Sequence, residues 1–172
     1  GSVITITGNK GDAIQVETIL DAAGLPDASK EQNGNCIIKG GTITGSATQD
    51  DTDVLKVDGN LTISGGSLNL TAKGAGSRAI NVDGSMLVNQ ATGTTDIVVS
   101  ASGAKFADPD GGSSRSRLGK IDGNMDFDGG KMTGTFVDPA KGMKVVGTLT
   151  WNKTAGAAYT GMGWEAGKIV TK

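Results

Sequence analysis

The chain has 172 residues and a formal net charge of −2, with 29 glycines, one cysteine and no histidine. The usual ligand sets for zinc, haem and iron–sulfur clusters are therefore missing, and catalytic triads that depend on imidazole are excluded. The 16 basic and 18 acidic residues are scattered along the chain, which is not the charge pattern of a nucleic-acid-binding or membrane-binding surface. No run of 18 apolar residues is present, so the sequence predicts no segment that spans a bilayer.

A repeat of about 25 residues organises the glycines. Residues 54–63 and 79–88 match each other, and the same frame fits residues 118–127 and 142–151. Within each unit apolar and polar residues alternate, which predicts three short strands separated by Asp-Gly or Gly-Gly bends. A unit this small cannot bury its own apolar face and must stack on its neighbours. The pattern predicts an all-β fold, a right-handed parallel β-helix: one single-stranded solenoid domain of about five to six coils over residues 1–172.

Residues 1–33 are predicted to form an N-terminal partial coil or cap. Residues 3–7 resemble the third strand of a coil, and residues 14–16 resemble a first strand. Residues 12–23 also fit a short amphipathic helix that caps the open end, so strand and helix both remain open. The alternation favours a strand over residues 14–16, followed by a loop or helix over residues 17–30.

The repeat coils are predicted over residues 34–151, with turn glycines at one equivalent bend of each coil. Equivalent positions on successive coils should lie about 4.8 Å apart and form inward-facing ladders. Because Cys36 falls on one of these ladders, it is predicted to be a buried small hydrophobe and not a reactive thiol. The turn glycines are Gly34, Gly59, Gly84, Gly123 and Gly147. The predicted ladders are Cys36, Leu61, Met86, Met125 and Leu149; Ile38, Ile63, Val88, Phe127 and Trp151; and Ile43, Leu68, Ile97 and Met132.

An insertion at about residues 105–117 lengthens one repeat to about 39 residues. Insertions in a repeat protein become loops on one face, and such loops often bind ligands. This one brings Asp108, Asp110, Arg115 and Arg117 close to Lys120, and the first four are candidate ligand-binding residues. The alternative, which the mixed charges favour, is a solvated loop that neutralises itself.

A C-terminal cap is predicted over residues 152–172. Tyr159 and Trp164 lie beyond the last clear repeat, where a solenoid needs a cover for its final coil. Their rings could stack on sugar rings, since aromatic faces are apolar and their edges can form hydrogen bonds. Packing as an end cap is the favoured interpretation of both residues, and sugar binding remains a candidate role.

Three aspartates, Asp58, Asp83 and Asp122, occupy the same bend of successive coils. Turn chemistry explains an Asp before a Gly, since the carboxylate bonds nearby backbone and the glycine takes a positive φ. Carboxylates about 5 Å apart also repel each other, and a hard cation such as Ca²⁺ relieves this repulsion through oxygen ligands. The three residues are therefore a candidate calcium site. A second carboxylate cluster, residues 50, 51 and 53, is typical of an Asp-rich turn.

Residues 57–72 and 78–84 resemble the bacterial carbohydrate-binding β-helix family. They read VDGNLTISGGSLNLTA and RAINVDG, and coils of that family carry an Asp-Gly, Ile-x-Gly-Gly and Thr-Ile-x-Val-x-Ala cadence. The similarity covers residues 33–135. It implies an exported or cell-surface protein with a right-handed parallel β-helix of pectate-lyase-like shape, Ca²⁺ binding, and affinity for cellulose or acidic plant polysaccharides.

The first functional hypothesis is therefore non-catalytic binding of a plant cell-wall type polysaccharide. A structural stalk or adhesin module of a surface protein is the main alternative. A Ca²⁺-dependent polysaccharide lyase is the second alternative, in which Arg115, Arg117 or Lys120 would serve as the base. The expected partner is a polysaccharide, with no nucleic acid and no membrane insertion.

Overall fold

The computed structural model describes residues 1–8 and 10–172 of the chain, and the regular structure within them is β-strand, with no helix. Eighteen strands alternate with short bends. They are β1 (Val3–Gly8), β2 (Ile14–Val16), β3 (Cys36–Ile38), β4 (Thr42–Ala47), β5 (Leu55–Val57), β6 (Leu61–Ile63), β7 (Gly66–Ala72), β8 (Arg78–Val82), β9 (Met86–Val88), β10 (Thr95–Ala101), β11 (Lys105–Ala107), β12 (Ser113–Arg115), β13 (Arg117–Ile121), β14 (Met125–Phe127), β15 (Lys131–Phe136), β16 (Lys141–Trp151), β17 (Ala158–Thr160) and β18 (Glu165–Thr171).

Two parallel sheets enclose the core. The six-stranded sheet has the order β1-β4-β7-β10-β15-β17. The ten-stranded sheet runs through β2-β5-β8-β13 to β16 and returns through β14-β9-β6-β3, with β18 added on β16. β11 and β12 pair antiparallel as a hairpin. Among the described residues no helix is long and apolar enough to cross a membrane.

The predicted right-handed parallel β-helix, a single-stranded solenoid of about five to six coils, is wrong as an architecture. The strands are mostly parallel, but the ten-stranded sheet has two walls, β2-β5-β8-β13 and β3-β6-β9-β14, that join through β16 into one curled sheet. The arrangement is nearly closed and barrel-like. The sequence around Gly147 explains the junction. An Asp precedes Gly59, Gly84 and Gly123, whereas the β-branched Val146 precedes Gly147, where the backbone continues as one extended strand.

The three apolar ladders are confirmed residue by residue. Cys36 pairs with Leu61, and Ile38 pairs with Ile63 on the neighbouring strand. The same register continues through β9, β14 and β16, and the six-stranded sheet aligns the members of the third ladder. A one-residue slip would turn every apolar side chain outward, so burial fixes this register strongly.

The core is almost entirely aliphatic. Phe127 is fully buried, and methionines fill the neighbouring positions of β9, β14 and β15. Cys36 faces this core and is half-buried, and burial raises the pKa of its thiol. This agrees with the predicted role of Cys36 as a small apolar residue, because the thiolate is the reactive form.

The turn glycines stack directly on one another, as predicted. Their backbone N–H groups donate in series, with N···O distances of 2.8 Å from Gly59 to Gly34, 3.0 Å from Gly84 to Gly59 and 2.8 Å from Gly123 to Gly84. The predicted reason for glycine is wrong for most of the row, because only Gly34 has a positive φ. A Cβ on Gly84 would lie 2.5 Å from the Gly59 carbonyl oxygen, so close backbone approach excludes a side chain.

Asparagine side chains reinforce the same bends. The Asn35 Oδ1 atom accepts a hydrogen bond from the Asn60 N–H at 2.7 Å, and the Asn60 Oδ1 atom accepts from the Ser85 N–H at 2.8 Å. The Asn124 Oδ1 atom accepts from the Thr148 N–H at 2.9 Å. Each repeat therefore satisfies a backbone donor of the next repeat, which holds the bends in register.

At the N-terminal end, the strand interpretation of residues 14–16 is confirmed. β2 pairs with β5, and β1 pairs with β4 as the third-strand resemblance predicts. Residues 17–30 form turns and a loop without a helix, closed by the isolated bridge of Leu20 and Pro26. The capping-helix alternative is wrong. The loop is tied at its base, where the Ile19 N–H donates to the Asn33 Oδ1 atom at 2.8 Å.

Candidate functional site

The insertion folds into the β11–β12 hairpin, which lies against the wall that contains β8 and β13. Its contacts with the preceding bend are close: the Gly76 N–H donates to the Ala104 carbonyl at 2.9 Å, and the Ser114 hydroxyl donates to the Asp51 carboxylate at 2.6 Å. A Cβ on Gly76 would lie 2.7 Å from the Phe106 Cβ, so glycine allows this close approach. The hairpin is therefore attached to the wall and borders two depressions on it.

The larger depression, here called the cationic groove, has a volume of about 330 Å³. It contains five basic side chains and two serines. They are Arg78, Ser113, Ser114, Arg115, Arg117, Lys120 and Lys144. A neighbouring depression of about 270 Å³ shares Arg78 and both serines, and adds Phe106 and the carboxylates of Asp51 and Asp108.

Strand register brings the basic residues together. Arg78 of β8 is aligned with Arg117 of β13, and Lys120 of β13 is aligned with Lys144 of β16. Aligned residues on neighbouring parallel strands lie about 4.8 Å apart. The hairpin adds Arg115 beside them, so residues far apart in the chain form one compact positive surface.

Ion pairs compensate three of the five charges. The Arg78 guanidinium lies 3.2 Å from the Asp53 carboxylate, and the Lys120 ammonium lies 2.7 Å from the Asp122 carboxylate. The Arg117 Nη1 atom lies 3.0 Å from the Glu165 Oε2 atom, without hydrogen-bond geometry. Among the described residues, Arg115 and Lys144 form no ion pair, which leaves the groove with an excess of positive charge.

Asp53 is the buried partner that holds Arg78 of the cationic groove in place. Its carboxylate is buried, and it accepts hydrogen bonds from the Asn81 amide at 2.6 Å and from the Arg78 backbone N–H at 2.8 Å. Burial raises the pKa of Asp53, with the Arg78 charge and the Asn81 hydrogen bond acting in the opposite direction. The predicted carboxylate cluster of residues 50, 51 and 53 does not converge on one point. Asp50 instead accepts a hydrogen bond from the Ala75 N–H, and Asp51 faces Ser114.

The predicted ligand-binding residues of the insertion lie in three places. Arg115 and Arg117 line the cationic groove, whereas Asp108 lines the neighbouring depression. Asp110 lies in the exposed hairpin turn, where its N–H donates to the Asp108 carboxylate at 3.0 Å. Sequence reasoning missed Arg78 and Lys144. The repeat frame could have found them, because it aligns Arg78 with Arg117 and Lys120 with Lys144.

The candidate calcium residues are partners of lysines. The Lys56 ammonium lies between two of them, 3.6 Å from Asp58 and 2.5 Å from Asp83, and Lys120 holds Asp122. Asp58 also accepts a hydrogen bond from the Thr18 N–H. In the part of the chain that the structure describes, no three acidic or cysteine side chains are grouped to hold a metal. The Lys56 ammonium therefore occupies the space between the Asp58 and Asp83 carboxylates, and Asp122 is paired separately with Lys120.

The aromatic residues at the C-terminal end pack against one another. The ring centroids of Tyr159 and Trp151 lie 4.5 Å apart, and those of Tyr159 and Trp164 lie 5.5 Å apart in an edge-on arrangement. All three rings are half-buried against the core. The Trp151 Nε1–H donates to the Ala157 carbonyl at 2.9 Å. This geometry agrees with packing at the end of the structure, and a sugar-binding role of Tyr159 and Trp164 stays a prediction.

The fold and the groove together define an all-β protein with mostly parallel strands and a positively charged surface depression. Comparison with protein-family models, curated proteins and solved structures finds no match to this chain. The resemblance to the carbohydrate-binding β-helix family therefore stays a prediction.

Proposed function

We propose that the protein binds an acidic polysaccharide, without catalysis, through the cationic groove. The observation that carries the proposal is the convergence of five basic side chains from three strands and the hairpin on one open depression. Carboxylate or sulfate groups of a sugar chain are the complementary ligands. Guanidinium groups hold such oxygens in two-point contacts, and serine hydroxyls can bond sugar hydroxyls.

A polymer fits this groove better than a small acid. Ion pairs at exposed sites contribute only about 0–1 kcal/mol each, so one carboxylate on Arg115 or Lys144 would bind weakly. A chain with repeated acidic groups can contact several cations at once, because the groove spans neighbouring strands about 4.8 Å apart. Binding of this kind weakens as salt screens the charges.

The accessible part of the groove determines which side chains matter most. The Arg117 side chain is 12% exposed and paired with Glu165, and the Arg78 side chain is 19% exposed and paired with Asp53. Arg115 is exposed, and Lys144 is half-buried at the groove surface. We therefore assign most of the binding energy to Arg115 and Lys144.

Affinity electrophoresis in gels that contain polygalacturonate tests the proposal. The wild-type protein should be retarded at low salt, and the double variant Arg115→Gln with Lys144→Gln should lose most of the retardation. Lys131→Gln is the matched control, since Lys131 is an exposed lysine on the six-stranded sheet. Equal retardation of all three proteins, or none for the wild type, would overturn the proposal. A neutral cellulose gel should retard none of them.

Calcium binding by Asp58, Asp83 and Asp122 stays a prediction of the repeat register, and the proposed polysaccharide binding does not depend on it. A cation would have to displace the Lys56 ammonium from the Asp83 carboxylate. The melting temperature with and without calcium chloride tests this. A rise in melting temperature that Asp83→Asn abolishes would support a calcium site. An unchanged melting temperature would indicate that the three aspartates serve in ion pairs with lysines.

In the lyase alternative, Arg115, Arg117 or Lys120 would remove a proton. Lys120 is paired with Asp122 and Arg117 with Glu165. The release of unsaturated uronates from polygalacturonate would reveal such an activity. The stalk or adhesin alternative concerns the ends of the molecule, which the groove experiment does not test.

A further inference from the structure

Both ends of the stacked strands expose edges that have no neighbouring strand in the described part of the chain. At the first end, β1, β2 and β3 each pair on one side, with β4, β5 and β6. At the second end, β17 pairs with β15, and β18 pairs with β16. Free N–H and C=O groups along such edges can pair with another chain.

The two ends are complementary in register. The row through Ile4 and Ile43 ends at Tyr159 of β17, and the row through Cys36 and Leu61 ends at Ile169 of β18. A third row begins at Gln15 of β2 and reaches Glu165 of β18 in the same way. β18 pairs along the length of β16, which belongs to both walls of the ten-stranded sheet. Together, β17 and β18 therefore offer an edge opposite each of the three N-terminal strands.

The core is open at both ends. Ile4 and Ile169 belong to inward-facing rows, yet they are 49% and 54% exposed. Ile14, Val16 and Cys36 are only partly buried at the first end. The loop over residues 17–30 is attached at the bend beside Asn33 and is itself largely exposed. Apolar surface at both ends therefore lacks a covering layer within the described residues.

The charges of the two ends are opposite. Residues 10–33 carry more acidic than basic groups, and residues 152–172 carry more basic than acidic groups. The first segment has Lys10, Asp12, Glu17, Asp21, Asp27, Lys30 and Glu31, and the second has Lys153, Glu165, Lys168 and Lys172. Contact between like ends would bring like charges together, whereas contact between unlike ends is attractive.

We propose that a second copy of this chain docks head to tail, with β1, β2 and β3 of one copy pairing in parallel with β17 and β18 of the next. In this joint Ile4 of one copy lies beside Tyr159 of the other, and Cys36 lies beside Ile169. The interface is heterologous and leaves both outer ends free, so it extends to open filaments instead of a closed dimer. This assembly goes beyond the proposed binding of polysaccharide, and either can fail without the other.

Sedimentation of the full chain over a range of concentrations tests the association. The wild-type protein should form particles that grow with concentration and shrink at high salt. Ile4→Lys should remove the association, because a lysine on an edge strand opposes pairing. Val98→Lys is the matched control, since Val98 is an exposed apolar residue in the middle of the six-stranded sheet. A monomer at every concentration, or growth that Ile4→Lys leaves unchanged, would overturn the proposal.

Cross-linking tests the register independently of those variants. Aligned residues on neighbouring strands lie within the Cα separation that a disulfide requires. Ile169→Cys should therefore join to the native Cys36 of the next copy and give a ladder of species on a non-reducing gel. Val98→Cys, at an exposed residue in the middle of the six-stranded sheet, should not. Equal cross-linking of the two variants, or a dimer joined through two Cys36 residues, would contradict the head-to-tail joint.

Discussion

The close stacking of the bend glycines predicts that Gly84→Ala lowers the stability of the protein. The new methyl carbon would lie 2.5 Å from the Gly59 carbonyl oxygen and 2.7 Å from the Gly59 carbonyl carbon, where ordinary contacts begin at 3.4 Å. Two neighbouring bends must therefore separate by close to one ångström. The same movement stretches the hydrogen bond from the Gly84 N–H to the Gly59 carbonyl, which is 3.0 Å long.

The expected cost has two parts. Overpacking costs about 1–3 kcal/mol, and weakening one backbone hydrogen bond costs about 0.5–1.5 kcal/mol. The free energy of unfolding should therefore fall by about 2–4 kcal/mol, which in a chain of this length lowers the melting temperature by about 5–15 °C.

Thermal unfolding followed by circular dichroism measures this change. Gly40→Ala is the matched control, because a Cβ there meets no atom within 4 Å and the residue has no positive φ. It should change the free energy of unfolding by less than about 1 kcal/mol. If Gly84→Ala melts within the error of wild type, or if the two variants lose equal stability, the close stacking of the bends is refuted.

Three further predictions concern the core, the buried carboxylate and the aromatic end. Phe127→Ala should lower the free energy of unfolding by about 3–5 kcal/mol in urea unfolding, since the ring is fully buried; a loss below 1 kcal/mol would contradict its position. Because burial raises the pKa of Asp53, the stability of the wild type relative to Asp53→Asn should increase as the pH falls through the raised pKa. The increase should be complete below the ordinary pKa of 3.8. A stability difference between the two proteins that is the same at pH 7 and at pH 4 would be evidence against this. Trp164→Ala should lose about 1–3 kcal/mol of stability and keep its retardation by polygalacturonate. A variant that keeps its stability but is no longer retarded would show that Trp164 belongs to the binding site.

Much of the local structure could be predicted because burial fixes strand register. The alternation in Leu61-Thr62-Ile63 and its equivalents determines which face is buried, and the repeat frame then gives the partner of each residue. The sheet topology could not be predicted in the same way. It is decided where β16 runs on through Gly147 and joins the two walls, at the bend where Val146 stands in place of the Asp that precedes Gly59, Gly84 and Gly123.

The cationic groove was only partly predictable. Arg115 and Arg117 stood out because they are close together in the insertion, whereas Arg78 and Lys144 are distant in sequence and meet only through strand pairing. The role of Lys56 was also hidden. The repeat shows that the aspartates of one bend repel each other, but it does not show that a lysine side chain reaches back between two of them.

Nuclear magnetic resonance titration with an oligogalacturonate locates the bound ligand as well as detecting it. Binding in the cationic groove should change the chemical shifts of the amides in the β11–β12 hairpin and around Arg78, Lys120 and Lys144, and these changes should weaken as salt is added. Changes confined to the aromatic residues at the C-terminal end, or no changes at saturating ligand, would contradict the assignment of the cationic groove as the binding site.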